Sequence, residues 1–464
     1  MTECTQKEFQ FQRLGRRQVG AAFDGGQISS DGGALLLREV EARLGIVRQF
    51  AACFRDFRDP RFTQHSLLEL LTQRTFGIAL GYEDLNDHDA LRVDPLLGLV
   101  VGREDLSPLA GKSTLNRLEL RGPGAGPDER YKKIEVQTEL VERFFLDVFV
   151  QSHRKPPSEV VLDFDSTDDP IHGRQEGRFF HGYYGNYCYL PLYVFAGRHL
   201  LCAKLRPANI DAAAGSLELL QQIVARLRAA WPNVRIVVRA DSGFARDAMM
   251  TWCEANGVYY LLGLARNGRL SRAIGRELQQ ARRRHEKTGR PARVFRELRY
   301  RTRSTWSRSR RVVAKAEHIQ GKANPRFVVT NIPAKQVGAR ELYEKLYCAR
   351  GDMENRIKEQ QLGLFADRTS SATMRANQLR LWFSSVAYVV LEALRRLGLR
   401  DTDLETAQCS TIRLKLLKIG ALVQISVRRV RIALASGYPH KAAFASAFDR
   451  LLKLPTWQGS EATV

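Results

Sequence analysis

The chain has 464 residues, 44% of them hydrophobic and 27% charged, with a formal net charge of +23. That length suffices for two or three domains with cores of their own. No apolar run approaches the roughly 18 residues of a membrane span, and the N-terminus MTECTQKEFQFQR lacks the apolar segment of a signal peptide. The expected partner is therefore a polyanion, with no membrane-spanning part. Cysteines at 4, 53, 188, 202, 253, 348 and 409 stand singly without a C-x-x-C pair, which argues against zinc or a disulfide framework and suits a cytoplasmic setting.

Positive charge is concentrated. Residues 1–155 hold 22 Lys+Arg against 23 Asp+Glu, whereas residues 266–326 hold 20 against 4. Residues 371–464 hold 14 against 6. A surface that is only soluble would intersperse both signs.

The first 155 residues read as a mainly helical domain. SSDGGALLLREVEARLG carries Ser/Asp capping candidates and closes on Gly45. HSLLELLTQRTFGIALG closes on Gly81, and IEVQTELVERFFLDVFV is a third amphipathic stretch. RGPGAGPDE (121–129) is a break and SHRKPPSE (152–159) a linker.

The periodicity then changes. VVLDFD (160–165) is a strand, NYCYLPLYVFAGRHLLCAKL a hairpin turning near Ala196–His199, and DAAAGSLELLQQIVARLRAAW a helix. VRIVVRAD is a strand, FARDAMMTWCEANG a helix ending at Gly257, and VYYLLGL a strand. The basic segment follows, with FRELRYRTR and RRVVAKAEHI alternating like strands, and then a helix around Glu354. LRLWFSSVAYVVLEALRRLG is a buried core helix; 411–437 alternates basic and apolar residues, and HKAAFASAFDRLLKL closes the chain as a short helix. This order predicts an α/β fold: a ribonuclease-H-like core (156–265, completed by a helix in 339–370), a basic β-rich insertion (266–338) and a C-terminal extension (371–464).

Asp165 closes the first strand, with Asp163 two residues earlier on the same face, and Asp241 closes the fourth. In such a fold these strands are neighbours, and functional groups gather at their carboxyl ends. Each has a plain alternative: Asp241 as a helix cap, Asp165 as a turn residue in DSTDDP. Clustered acids need a counterion, and oxygen-only ligands favour Mg2+, with Mn2+ possible. Two such ions can clamp an in-line phosphoryl displacement.

In LYCARGDMENRIKEQQ, Tyr347, Arg350, Glu354, Lys358 and Gln361 form one helical stripe, and Leu346, Ala349, Met353 and Ile357 form an apolar one beside it. Pairs of Glu354 with Arg350 and Lys358 are worth only about 0.2–0.5 kcal/mol each on an exposed helix. Gly351 costs about 1 kcal/mol relative to Ala; close approach of another backbone is one explanation for it.

The spacing Tyr347–Arg350–Glu354 resembles the signature helix of DDE transposases from bacterial insertion sequences, the branch named for Tyr, Arg, Glu and Lys. The family's lysine falls at Gln361, and Lys358 is the nearest substitute. LDFDSTDDPIHGRQEGRFFHGYYGNYCYLPLYVF resembles the first-aspartate block and favours Asp165 over Asp163; VVRADSGFA resembles the second. With SSDGGALLLRE and QRTFGIALGYEDLNDHDALRVDP, the likeness extends over most of the chain, to the group numbered thirteen-eighty.

The resemblance implies a two-metal site of Asp165, Asp241 and Glu354, cutting at transposon ends and joining the freed 3′-hydroxyl to target DNA. It implies Tyr347 and Arg350 on phosphates, with Lys358 beside them. It also implies double-stranded DNA (terminal inverted repeats and target) as partner, a dimer in the synaptic complex, and a bacterial, nucleoid-associated location. In related transposases a β-stranded subdomain precedes the glutamate, so Arg308 and Arg310 are expected along the DNA backbone and Trp306 under a displaced base. The alternative for Trp306 is sheet packing. Competing readings of the whole are a nuclease that cuts without joining and a non-catalytic nucleic-acid binder.

Overall fold

The computed structural model describes residues 8–119, 126 and 128–459. The stretch 121–129 lies largely outside the described residues, and so does Cys4. The chain forms two compact units: residues 1–135 with 363–365 and 386–464, and residues 136–362 with 366–385. Among the described residues no helix is long and apolar enough to cross a membrane.

In the first unit, Leu67–Leu80 forms a helix for a local reason. The Ser66 hydroxyl accepts from the Glu69 amide, the Glu69 carboxylate returns to the Ser66 amide, and Gly81 ends the helix at φ 96°. Leu35–Leu44 likewise ends on Gly45 at φ 57°. Asp31 does not cap that helix; it is buried on Lys418 and the Tyr82 hydroxyl. The unit also holds strands that its composition hid: the exposed pair Phe9–Leu14 and Arg17–Ala21, and Ile28–Ser29 beside the hairpin Ala421–Ser426 and Arg429–Leu434. The helix Lys441–Leu452 is present as expected.

The second unit starts earlier than residue 156. Helix α1 (Thr138–Gln151) buries Leu146 and Phe149 in its core. Its strands are β1 (Glu159–Ser166), β2 (Asp169–Pro170), β3 (Phe179–His181), β4 (Asn186–Tyr189), β5 (Leu192–Ala196) and β6 (His199–Lys204). Helix α2 (Ser216–Ala230), β7 (Arg235–Ala240), α3 (Asp247–Ala255) and β8 (Tyr259–Leu264) follow. Then come α4 (Gly268–Ala273), α5 (Gly275–Thr288), β9 (Ala292–Tyr300), β10 (Arg310–Ile319), β11 (Lys322–Ala323), β12 (Arg326–Thr330), α6 (Gly351–Leu364) and α7 (Met374–Gly398), the last counted in this unit only as far as residue 385.

The strands join in the order β6-β5-β1-β7-β8-β12-β10-β9, with β11 beside β10. β7 runs parallel to β1 and β8; β5 and β12 run antiparallel to their partners. The basic segment is therefore not a separate β-rich body. After helices α4 and α5, its strands continue the same sheet through β12, which pairs with β8.

Alternation along the strands sorts the two faces. Even-numbered Leu162, Phe164, Ile236 and Val238 join Leu220, Ile223, Met250 and Cys253 from α2 and α3 in one core. Odd-numbered Val161 and Val237 face a second cluster with Leu342, Tyr343 and Leu346.

Candidate active site

Asp163, Asp165, Arg239 and Asp241 all have odd numbers, so the pleat turns them to the face covered by the segment that leads into α6. β7 and β1 are in register with Arg239 opposite Asp163 and Ala240 opposite Phe164. One step further, Asp241 stands beside Asp165 at adjacent strand ends.

The two acids of β1 have different surroundings. Asp163 is buried and accepts two bonds from Arg239, at 2.5 and 2.7 Å. Asp165 receives the Ser166 amide at 3.1 Å and lies 3.4 Å from the Arg350 guanidinium. Burial pushes Asp165 up to about 7; Arg350 pulls against this, and the charges of Asp241 and Glu354 add to it. Asp241 also caps, accepting the Gly243 amide at 2.8 Å.

The segment before α6 is not regular. Leu342–Tyr347 winds as a π-helix, Cys348–Arg350 as a 3-10 turn, and the α-helix starts at Gly351. Such wide turns are frequent at functional sites. The Arg239 guanidinium, already on Asp163, also donates to the Leu346 carbonyl at 2.6 Å, tying this winding to the sheet. The Tyr347 hydroxyl rests on Gly263, where an added Cβ would stand 2.6 Å from it and 3.1 Å from the Asp241 carbonyl carbon. Nothing crowds Gly351, so close backbone approach does not account for that glycine.

Arg350 donates to Glu354 at 2.5 Å while facing Asp165. One guanidinium thus serves two carboxylates, and its Nη1 finds no hydrogen-bond acceptor. Burial alone would ease its deprotonation, but Asp165 and Glu354 reverse that and its pKa rises. Met353 and Ile357 are buried, whereas Ala349 of the expected apolar stripe is exposed. Lys358 is exposed. Gln361 leaves the polar stripe: its amide donates to Asp169 at 2.8 Å and to the Asp168 carbonyl at 3.2 Å. Asp169 is fully buried and pushed up to about 8 by that burial.

Oxygen-only donors suit a hard divalent cation, and burial with like charges leaves Asp165 short of positive charge beyond Arg350. Chemically the three acids fit such an ion. Among the described residues, no three His, Cys, Asp or Glu side chains are gathered tightly enough to hold one ion; Arg350 stands between Asp165 and Glu354.

A family model described as transposase DDE domain group 1 matches residues 11–456. This chain belongs to the DDE transposases. Its activity is DNA transposition, and enzymes of this family use divalent metal ions. No curated protein matches it. Among solved structures it is similar to a cryo-EM piggyBac transposase synaptic complex with hairpin DNA, at 11% identity and a TM-score of 0.40, covering 93% of this chain and 83% of that one.

Two of the DNA contacts expected in the basic segment of the transposase are structural. Trp306 is 4% exposed, packed edge-on to Tyr300 with Arg310 above it, so it offers no free face to a base. Arg310 is buried on Asp247, Glu254 and Thr251. The acids that claim it lie on α3, sixty residues away, which local polarity could not reveal. Arg308 is exposed and only grazes Glu254 at 3.4 Å. Sequence reasoning missed Arg239, whose sole sign was its register with Asp163. It also missed the aromatic run FFHGYYGNY, legible as five Phe and Tyr in nine residues.

Proposed function

We propose that this transposase, of the bacterial insertion-sequence branch named for Tyr, Arg, Glu and Lys and resembling the group numbered thirteen-eighty, uses Asp165, Asp241 and Glu354 on a ribonuclease-H-like core to cut transposon ends and join them to target DNA. The observation that carries this reading is the placement of Asp165 and Asp241 at adjacent strand ends, on the face where Arg350 reaches from the signature segment to both Asp165 and Glu354.

The three acids would hold divalent ions, Mg2+ by donor chemistry, which supply a lowered water pKa and stabilise the leaving oxygen. The residues of the chain do the positioning. Arg350, whose Nη1 faces Asp165 at 3.4 Å without a hydrogen bond, would turn a donor to a scissile phosphate, and meanwhile keeps Asp165 and Glu354 from repelling each other. Tyr347, seated on Gly263, fixes the helix against the Asp241 turn. Lys358, one turn beyond Glu354, is free to meet the DNA backbone, a role Gln361 cannot share because Asp169 occupies it. Partners are then the terminal inverted repeats and target DNA, and joining two ends calls for at least a dimer.

A labelled transposon-end fragment incubated with Mg2+ and the protein, beside Asp241→Asn, tests the assignment. Cleaved and joined products from the unmodified chain alone support it. Cleavage without joining would instead identify a nuclease, and binding alone a non-catalytic protein.

A further inference from the structure

Strands β3 and β4 form a hairpin with the turn at 182–185, and its rings point outward. Phe180 is 58% exposed, Tyr183 86% and Tyr187 46%, with Phe179 exposed beside them. Phe180 and Tyr187 oppose each other across the hairpin, ring centres 5.6 Å apart, and Tyr183 abuts Tyr184 at 5.0 Å. A soluble chain seldom leaves so many large rings in water together unless something covers them.

Two further observations say what covers these. The hairpin is anchored next to the acids: the Tyr184 hydroxyl reaches the Ser166 carbonyl at 3.4 Å, and burial with the charges of Asp168, Asp165 and Asp241 pushes its phenol up to about 12. Cations flank the rings. The Arg178 guanidinium lies over Tyr187 at 4.4 Å and donates to the Gly173 carbonyl, and neither it nor exposed Arg174 is ion-paired to a described carboxylate. Rings interleaved with unpaired arginines suit a strand of nucleic acid whose bases are out of the duplex. Paired bases already stack on each other and leave no face to share.

We infer that the Phe179–Tyr189 hairpin is a stacking platform for unpaired nucleotides of the DNA strand lying at the active-site acids, with Phe180, Tyr183 and Tyr187 under the bases and Arg178 on a phosphate. This rests on the transposase reading of the acids above, and takes the place in the molecule that Trp306 does not fill.

Binding is measured with the full chain in EDTA, so that no cleavage intervenes, using a fluorescent blunt duplex and the same duplex with a short single-stranded dT tail. The tailed duplex is expected to bind more tightly. Tyr183→Ala and Phe180→Ala, both on solvent-exposed rings, are each expected to remove about 5- to 100-fold of that preference while leaving blunt-duplex affinity unchanged, and Tyr183→Trp to restore it. Equal affinity for the two duplexes, or a tail preference that survives both alanine variants, overturns the platform. So does a change in oligomeric mass on light scattering without a change in tail preference, since the rings then cover a second copy. Failure of cleavage and joining with Mg2+ by the unmodified chain would instead refute the transposase assignment, a readout independent of the EDTA titration.

Discussion

The two halves of the large sheet carry charge in opposite ways. In the β9–β10–β12 half, several buried or half-buried cations meet acids directly: Arg310 meets Asp247 and Glu254, Arg311 meets Glu297, Lys315 meets Glu317, and Arg293 meets Glu317 and Glu344. In the β1–β7 half, Asp165 and Glu354 share one guanidinium while the charge of Asp241 adds to theirs. Part of the charge of the basic half is thus neutralised by acids that lie outside residues 266–326, Asp247, Glu254 and Glu344. A segment's charge count describes its surface field only when its partners are inside the segment. The under-compensated half is where a cation and a phosphate can still be accommodated, which is how perturbed acids mark functional sites.

The comparison breaks most sharply at the acids. Asp165→Asn, Asp241→Asn or Glu354→Gln should each cut strand cleavage on the order of ten-thousand-fold, with folding intact by circular dichroism. Retained cleavage in any of them would remove that residue from the proposed set.

The buried pair beside them should respond in stability. Arg239→Ala strands Asp163 without its partner and should cost about 3–5 kcal/mol in denaturant unfolding. Replacing both residues with apolar ones of similar size should recover most of that loss. Cleavage should stay impaired in the double variant, because the Leu346 carbonyl loses the donor that ties the π turn to the sheet.

A smaller effect is expected at Asp169. Burial pushes its carboxyl up to about 8 in the folded chain against the usual 3.8, so between those values the folded chain holds the extra proton. Its contribution is in full force below about 4 and is lost as pH rises through 8. Asp169→Asn should flatten that decline and stabilise the chain at pH 8 by on the order of a few kcal/mol. An unchanged melting profile across that range would show the group to be ionised.

The smallest expected effect is at Arg308. Arg308→Ala should leave stability within about 0.5 kcal/mol and lower the salt slope of DNA binding by about 1. Arg310→Ala should do the reverse, unfolding more easily with the slope unchanged.

Much of the site was legible because its signals are local. VVLDFD and VRIVVRAD declare their strands by apolar runs, each closing on its acid, and Gly45 and Gly81 announce helix ends. What stayed hidden depends on partners distant in sequence. Trp306 and Arg310 sit among Ser and Arg in TWSRSRR and read as exposed, yet α3 covers them. The continuation of the sheet through β12 is a pairing choice, which periodicity does not record. The irregular winding at Leu342–Arg350 also escaped, since the spacing of Tyr347, Arg350 and Glu354 reads the same in an unbroken helix.

The proposed acids lie on β1, just after β7 and on α6, with β8 to β12 intervening between the second and the third. The proposed set is therefore complete only once the chain has been made as far as Glu354. On the proposed assignment, a chain interrupted between residues 241 and 354 would hold both aspartates without the glutamate and would cut no DNA.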